Sequence, residues 1–162
     1  MKSLVYVWAE PSFTSTLLLK RLMPEMSLPK NRYLNFLPSK DWHTTIMYAP
    51  DTDLSILDEP YRLKFSGATA QILPLEIWNS DGNKPLVIPL ISRDLQSRFK
   101  YWKKYGLQFT YRDYKPHLTL CMDVTNNVKE IVDNINKRIA GKTIYMKFNR
   151  ESLIVESELS KP

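Results

Sequence analysis

Runs of strand character outnumber helical runs in this chain, and the two do not alternate. A doubly wound parallel sheet needs regular strand–helix alternation, so the order argues for an α+β fold with mixed or antiparallel sheets. "SLVYVWA" at residues 3 to 9 is β-branched and aromatic throughout and reads as a buried strand. "WHTTIMYA" reads as a second strand, closed by Pro50. "YRLKFSG" sets Tyr61, Leu63 and Phe65 against Arg62 and Lys64, the two-residue period of a half-buried strand. "ATAQILPLEIWNSDGNKPLVIPL" predicts a hairpin turning at Asp81-Gly82. "PHLTLCMD" is another strand. "KTIYMKFNRESLIVES" predicts one long strand or a bent pair, with Ile144, Met146 and Phe148 opposite Thr143, Tyr145, Lys147 and Asn149.

Three helices are expected between these runs. The first is capped by Ser12, Thr14 or Ser15 and ended by Pro24. The second covers residues 92 to 106, capped by Ser92 and ended by Gly106, with Leu95, Phe99 and Trp102 as its buried stripe. The third, "VTNNVKEIVDNINKRIAG", buries Val128, Ile131, Val132, Ile135 and Ile139 and ends at Gly141. Residues 24 to 40 hold three prolines and several basic side chains. A loop of that length suits a lid or a binding loop.

A chain of 162 residues is one domain's length, spanning 1 to 162, and can bury a core without disulfides. Its single cysteine, Cys121, excludes an intramolecular disulfide and a multi-cysteine metal site, and suits a reducing compartment. The opening apolar stretch is too short for a secretory core, and no run approaches a membrane span. A cytoplasmic protein is expected, with no membrane partner, as a monomer or weak homo-oligomer. The net charge of +6 fits a phosphate-rich partner or simply a basic surface. Without a long Lys/Arg run, a small anionic ligand or short RNA fits better than duplex DNA.

The chain has two histidines, and their surroundings echo one another: "HTTI" from His43 and "HLTL" from His117. Residues i and i+2 of a strand share a face. His43 therefore sides with Thr45, and His117 with Thr119, while Thr44 faces away. If both strands line one cleft, two imidazoles and two hydroxyls converge. One histidine can then take a proton and the other give one, while the hydroxyls stabilise charge on phosphate oxygens. Such phosphoester chemistry needs no metal or other cofactor. A single histidine strand would read as structural; the echo between the only two histidines favours the site. A zinc site is weaker, because the histidines lie 74 positions apart with no ligand spacing between them. No elbow motif supports a serine or cysteine nucleophile.

Two His-x-Thr-hydrophobic motifs, His43-Thr44-Thr45-Ile46 and His117-Leu118-Thr119-Leu120, one in each half of a small chain, resemble the 2H phosphoesterase superfamily. That resemblance implies two pseudo-symmetric α+β lobes whose sheets enclose a central cleft, with helices outside and one motif on each side. It implies metal-independent cleavage of 2′,3′-cyclic phosphates, RNA termini or cyclic oligonucleotides. The compact length and "EPSFTS" after the first strand also resemble the phage anti-CBASS protein 1 family. Membership would imply degradation of the cyclic di- and trinucleotide signals of bacterial immunity. There the ribose 2′-hydroxyl attacks the adjoining 3′–5′ phosphodiester, and the resulting 2′,3′-cyclic intermediate is opened.

Aromatic side chains would hold the flat bases of such a substrate. Phe13, Trp78 and Tyr114 are the candidates, against the alternative of core packing. Trp42 adjoins His43 and should face the core. Lys115 has the parity of His117, and Tyr145 and Glu151 share a polar parity on the last strand, so these three are further candidates. Two other functions stay open at this stage: a 2′,3′-cyclic phosphodiesterase acting on RNA ends, and a non-catalytic nucleotide- or RNA-binding protein.

Overall fold

A computed structural model of the chain describes residues 2–27, 36–58, 64–111, 113–124 and 128–157. Strand β1 (Lys2–Pro11) leads into helix α1 (Phe13–Leu22), and a short 3-10 turn follows at Pro24–Ser27. Strand β2 (Thr44–Asp53) precedes another 3-10 turn, and β3 (Ala68–Ile72), β4 (Glu76–Ile77) and β5 (Leu86–Ile91) follow. Helix α2 (Arg93–Tyr105), β6 (His117–Cys121), α3 (Lys129–Ile139) and β7 (Tyr145–Ser157) complete the order. Part of the expected 24–40 loop, the Tyr61–Leu63 part of the expected strand and the start of the third helical stretch lie outside the described residues. Lys64 to Gly67 belong to no strand.

Local chemistry sets the element ends. Ser12 caps α1, its hydroxyl accepting the Ser15 N–H, and Met23 closes the helix just before Pro24. Ser92 does the same for α2 through Leu95 N–H, and its own hydroxyl donates to Thr69 O at 2.7 Å. Gly106 then takes the left-handed conformation, φ 119°, that terminates α2. Asp81 and Gly82 both have positive φ, the two-residue turn that joins β4 to β5.

Every strand pairing is antiparallel. The order is β3-β7-β1-β2-β6-β5-β4, with β3 also touching β5. Two blocks result, β3-β7-β1-β2 and β6-β5-β4. They are joined by narrow seams: Thr44↔Leu118 on one side, and Gln71↔Ile91 with Ile72↔Leu90 on the other. One curled sheet thus carries both halves of the α+β fold. Its inner face and the helices share one core that includes Trp102, Phe148, Leu19, Ile46, Ile88, Leu95 and Leu118.

Two expectations for the strands change. β1 is not buried on both faces: Ser3, Val5, Val7 and Ala9 point into the core, while Leu4, Tyr6, Trp8 and Glu10 are half-buried on the other side. Of these outer residues, Tyr6 lines the cleft described below. Pro50 does not close β2, which runs on to Asp53. The β1–β2 register slips by one residue around Pro50, a bulge that tolerates a proline with no N–H to donate.

Candidate active site

A second bulge shapes the cleft. Val7 pairs with Met47 but Trp8 pairs with Thr45, so Ile46 is the extra residue. Ile46 and Met47 both turn into the core. The bulge thereby puts Thr45 and Tyr48, three residues apart, on the same outer face. Thr44 is fully buried among the core residues, and Trp42 is buried with its indole N–H on Leu37 O. Both face away from the cleft as expected.

The pairing of Thr44 with Leu118 is the geometric centre of the site. β2 and β6 run antiparallel, so extending that register sets His43 opposite Thr119 and Thr45 opposite His117. By that register the two motifs lie side by side about a local two-fold, each histidine opposite the other motif's threonine. The imidazoles are held alike. His43 Nδ1 lies 2.8 Å from Asp41 O, and His117 Nδ1 lies 2.8 Å from Lys115 O. A carbonyl only accepts, so both Nδ1 atoms carry hydrogen, and Nε2 is the nitrogen of each ring left to gain or lose a proton.

The electrostatics differ between the two. Burial of His117 lowers its pKa from the ordinary imidazole value; the Lys115 carbonyl opposes this, and the nearby His43 adds to it. The Trp78 ring covers His117 at 4.5 Å between centroids. His43 instead meets Tyr6, whose hydroxyl lies 3.0 Å from His43 Nε2 and 2.7 Å from Thr45 Oγ1. Burial raises the Tyr6 pKa, against the lowering effect of the Thr45 contact, so the phenol keeps its proton.

A cavity of about 570 Å³ opens over this crossing. Thr45 and His117 line it, with Tyr6, Tyr48, Trp78, Phe109, Tyr111 and Tyr114 as an aromatic wall and Asn79, Ser80, Asp113 and Lys115 as polar rim. The volume suits a nucleotide-sized ligand. Among the described residues, no group of three or more His, Cys, Asp or Glu side chains is placed to hold a metal ion.

The sequence candidates for substrate binding divide. Trp78 and Lys115 line the cavity, the lysine from the loop ahead of β6, since the strand starts only at His117. Tyr114 also lines it, but its ring stacks on Phe99 at 4.4 Å and its hydroxyl donates to Thr45 O at 2.9 Å. Holding the Thr45 backbone is what that geometry does. Phe13, 77% exposed at the start of α1, and Tyr145, 58% exposed at the start of β7, do not line the cavity.

Glu151 corrects the sequence expectation. The β1–β7 register slips between Glu10 and Pro11, leaving Asn149 as an extra residue. The slip turns Glu151 to the core side, opposite Ala9. There its carboxylate takes two hydrogen bonds from Arg98, at 2.7 and 2.8 Å, and one from the Trp102 indole. It ties α2 to β7 and is not on the cleft face.

Tyr6, Tyr48 and Tyr111 are cavity residues that sequence reasoning missed. The signal for Tyr6 was present: within "LVYVWAE" the larger residues Leu4, Tyr6 and Trp8 share one parity. Tyr48 carried no such signal, because the Ile46 bulge breaks alternation.

The model of the family described as anti-CBASS protein Acb1 matches residues 5–151. The chain belongs to the anti-CBASS protein Acb1 family. Family members similar to it include anti-CBASS protein Acb1 of Yersinia phage phiR1-RT, 29% identical over 121 residues. Acb1 of Enterobacteria phage T4 is 30% identical over 122 residues. Each alignment covers 74% of this chain and 72% of the relative. The fold is that of solved phosphoesterases. One such crystal structure superposes with a TM-score of 0.62 at 11% identity, over 96% of this chain and 88% of that one. E. coli LigT complexed with 3′-AMP superposes with a TM-score of 0.61 at 11% identity and the same coverage. The Acb1 match spans both His-x-Thr strands, Tyr6 and the cavity wall.

Proposed function

We propose that this Acb1 family member is a phosphodiesterase that opens 3′–5′ linkages of cyclic di- or trinucleotides without a metal ion. The observation that supports the reading is the antiparallel pairing Thr44↔Leu118, whose register sets each histidine opposite the other motif's threonine, with Thr45 and His117 lining the cavity. The aromatic wall of the cavity supports a base-bearing ligand. Membership of the Acb1 family, whose members named above are anti-CBASS proteins of phages, supports a cyclic nucleotide of bacterial immunity as substrate.

His117 is the better base. Its lowered pKa keeps it neutral, and among the described residues its Nε2 has no hydrogen-bond partner. In the first step His117 Nε2 takes the proton of a ribose 2′-hydroxyl, whose oxygen attacks the adjoining phosphorus. His43 Nε2 gives a proton to the departing 5′ oxygen, leaving a linear nucleotide with a 2′,3′-cyclic phosphate. The opening of that ring by water runs the roles in reverse. Thr45 and Thr119 donate to the non-bridging oxygens, where charge builds up in the transition state.

The test is incubation in EDTA with a panel of cyclic dinucleotides, cyclic trinucleotides and RNA ending in 2′,3′-cyclic phosphate, followed by mass spectrometry. Linear products from a cyclic substrate are expected. Activity lost with chelator would overturn the metal-free mechanism. Turnover of the RNA end alone would make the protein a 2′,3′-cyclic phosphodiesterase of RNA, and no turnover of any substrate would leave a binding protein.

A further inference from the structure

We propose that Tyr6 is a positioning residue that couples the charge on His43 to the direction in which the Thr45 hydroxyl points. The proposal rests on the phosphodiesterase reading for its consequence, but its geometry stands apart from the substrate. The Tyr6 hydroxyl is the middle link of a three-member chain, 3.0 Å from His43 Nε2 and 2.7 Å from Thr45 Oγ1. It has a single hydrogen to give. His43 Nδ1 is committed to Asp41 O, so Nε2 alone changes with the charge on the ring.

Two arrangements follow. With His43 neutral, Nε2 accepts the Tyr6 hydrogen, and the Tyr6 oxygen accepts the Thr45 hydrogen. Thr45 then has nothing to offer a phosphate. With His43 protonated, Nε2–H donates to the Tyr6 oxygen, and the Tyr6 hydrogen turns to Thr45 Oγ1. The Thr45 hydrogen is now released toward the cavity that Thr45 lines. A protonated His43 and a phosphate-ready Thr45 therefore appear together, and the Nε2–H exchanges the Tyr6 oxygen for the departing 5′ oxygen when the proton is given up. When His43 gives its proton away, the threonine donor swings back and the phosphate loses a contact.

The phenol is held for this task. Its ring stands edge-on to His43 at 6.1 Å and to Tyr48 at 5.9 Å, with Trp8 at 5.1 Å. The other motif has no such bridge: among the described residues, neither His117 Nε2 nor the Thr119 hydroxyl has a hydrogen-bond partner. The device thus separates two otherwise matched halves.

The titratable groups that face His43 are Tyr6 from β1 and His117 from β6, while Tyr48 and Tyr111 act on it through Tyr6. Tyr6→Phe removes the hydroxyl and keeps the ring. It should lower kcat by roughly ten- to hundredfold, the size of one hydrogen bond to a charged group, with KM nearly unchanged. Thr45→Val on the Tyr6→Phe background should then cost far less than Thr45→Val alone, whereas Thr45→Ser should keep the coupling. Wild-type kcat in Tyr6→Phe, or strictly additive losses, would overturn the proposal.

A readout independent of turnover separates this idea from the choice of substrate. The chain has two histidines, so their imidazole signals can be followed by NMR across pH and assigned with His117→Asn. Tyr6→Phe should displace the His43 titration curve directly, while the His117 curve moves only as far as its coupling to His43 carries it. A His43 curve unmoved by Tyr6→Phe sinks the coupling whatever the enzyme cleaves.

Discussion

His43 and His117 sit in near-identical backbone settings yet differ in what surrounds Nε2. His117 is half-buried against the Trp78 ring, whereas His43 answers to a phenol. Desolvation favours the uncharged ring, so His117 stays competent as a base to lower pH than a free imidazole would. The acid limb of the pH–rate profile should accordingly fall below the ordinary imidazole value of 6.5, because protonating the base is what stops the reaction. A limb at or above that value in steady-state kinetics would argue that His117 is not the base. His117→Ala should lower kcat by about 10²–10⁴-fold, the usual worth of a general base, with the fold intact by circular dichroism. These two residues were legible in the sequence because the motif is local: a two-residue strand period decides which side chain shares a face with the histidine.

At the scale of elements, bulges decide which residues reach the cleft. The Ile46 bulge brings Tyr48 to the outer face, and the Asn149 bulge sends Glu151 inward to Arg98. Both partners of that ion pair are more than nine-tenths buried. Glu151→Ala strands a guanidinium in the core and should cost about 3–5 kcal/mol of stability in a denaturant titration. KM for the cyclic substrate should not change; a raised KM at unchanged stability would return Glu151 to the substrate. Helix ends were readable because caps are chemical signals: Ser12, Ser92 and Gly106 stand where the sequence predicts them. Bulges were not, since one extra residue in a ladder depends on the partner strand's register. "NRES" showed only that alternation falters there, not which side chain turns.

The whole molecule is a curled antiparallel sheet whose two blocks meet at narrow seams, and the cavity opens over one of them. The chain carries a net charge of +6, so an anionic substrate should be steered toward it. Raising ionic strength from about 0.05 to 0.5 M should lower kcat/KM more than kcat, as the Debye length shrinks below the span of the surface charge. Equal loss in both would place the effect in the chemistry rather than in encounter. By itself the sequence determined the α+β class, the helix caps and the four motif residues, because each depends on neighbours within a few positions. Only the tertiary structure decided that "HTTI" and "HLTL" lie side by side with each histidine across from the other's threonine. It alone joined Tyr6 to His43 and Thr45 and took Glu151 out of the cleft. Those outcomes depend on strand register between residues 37 to 142 positions apart, which no local pattern carries.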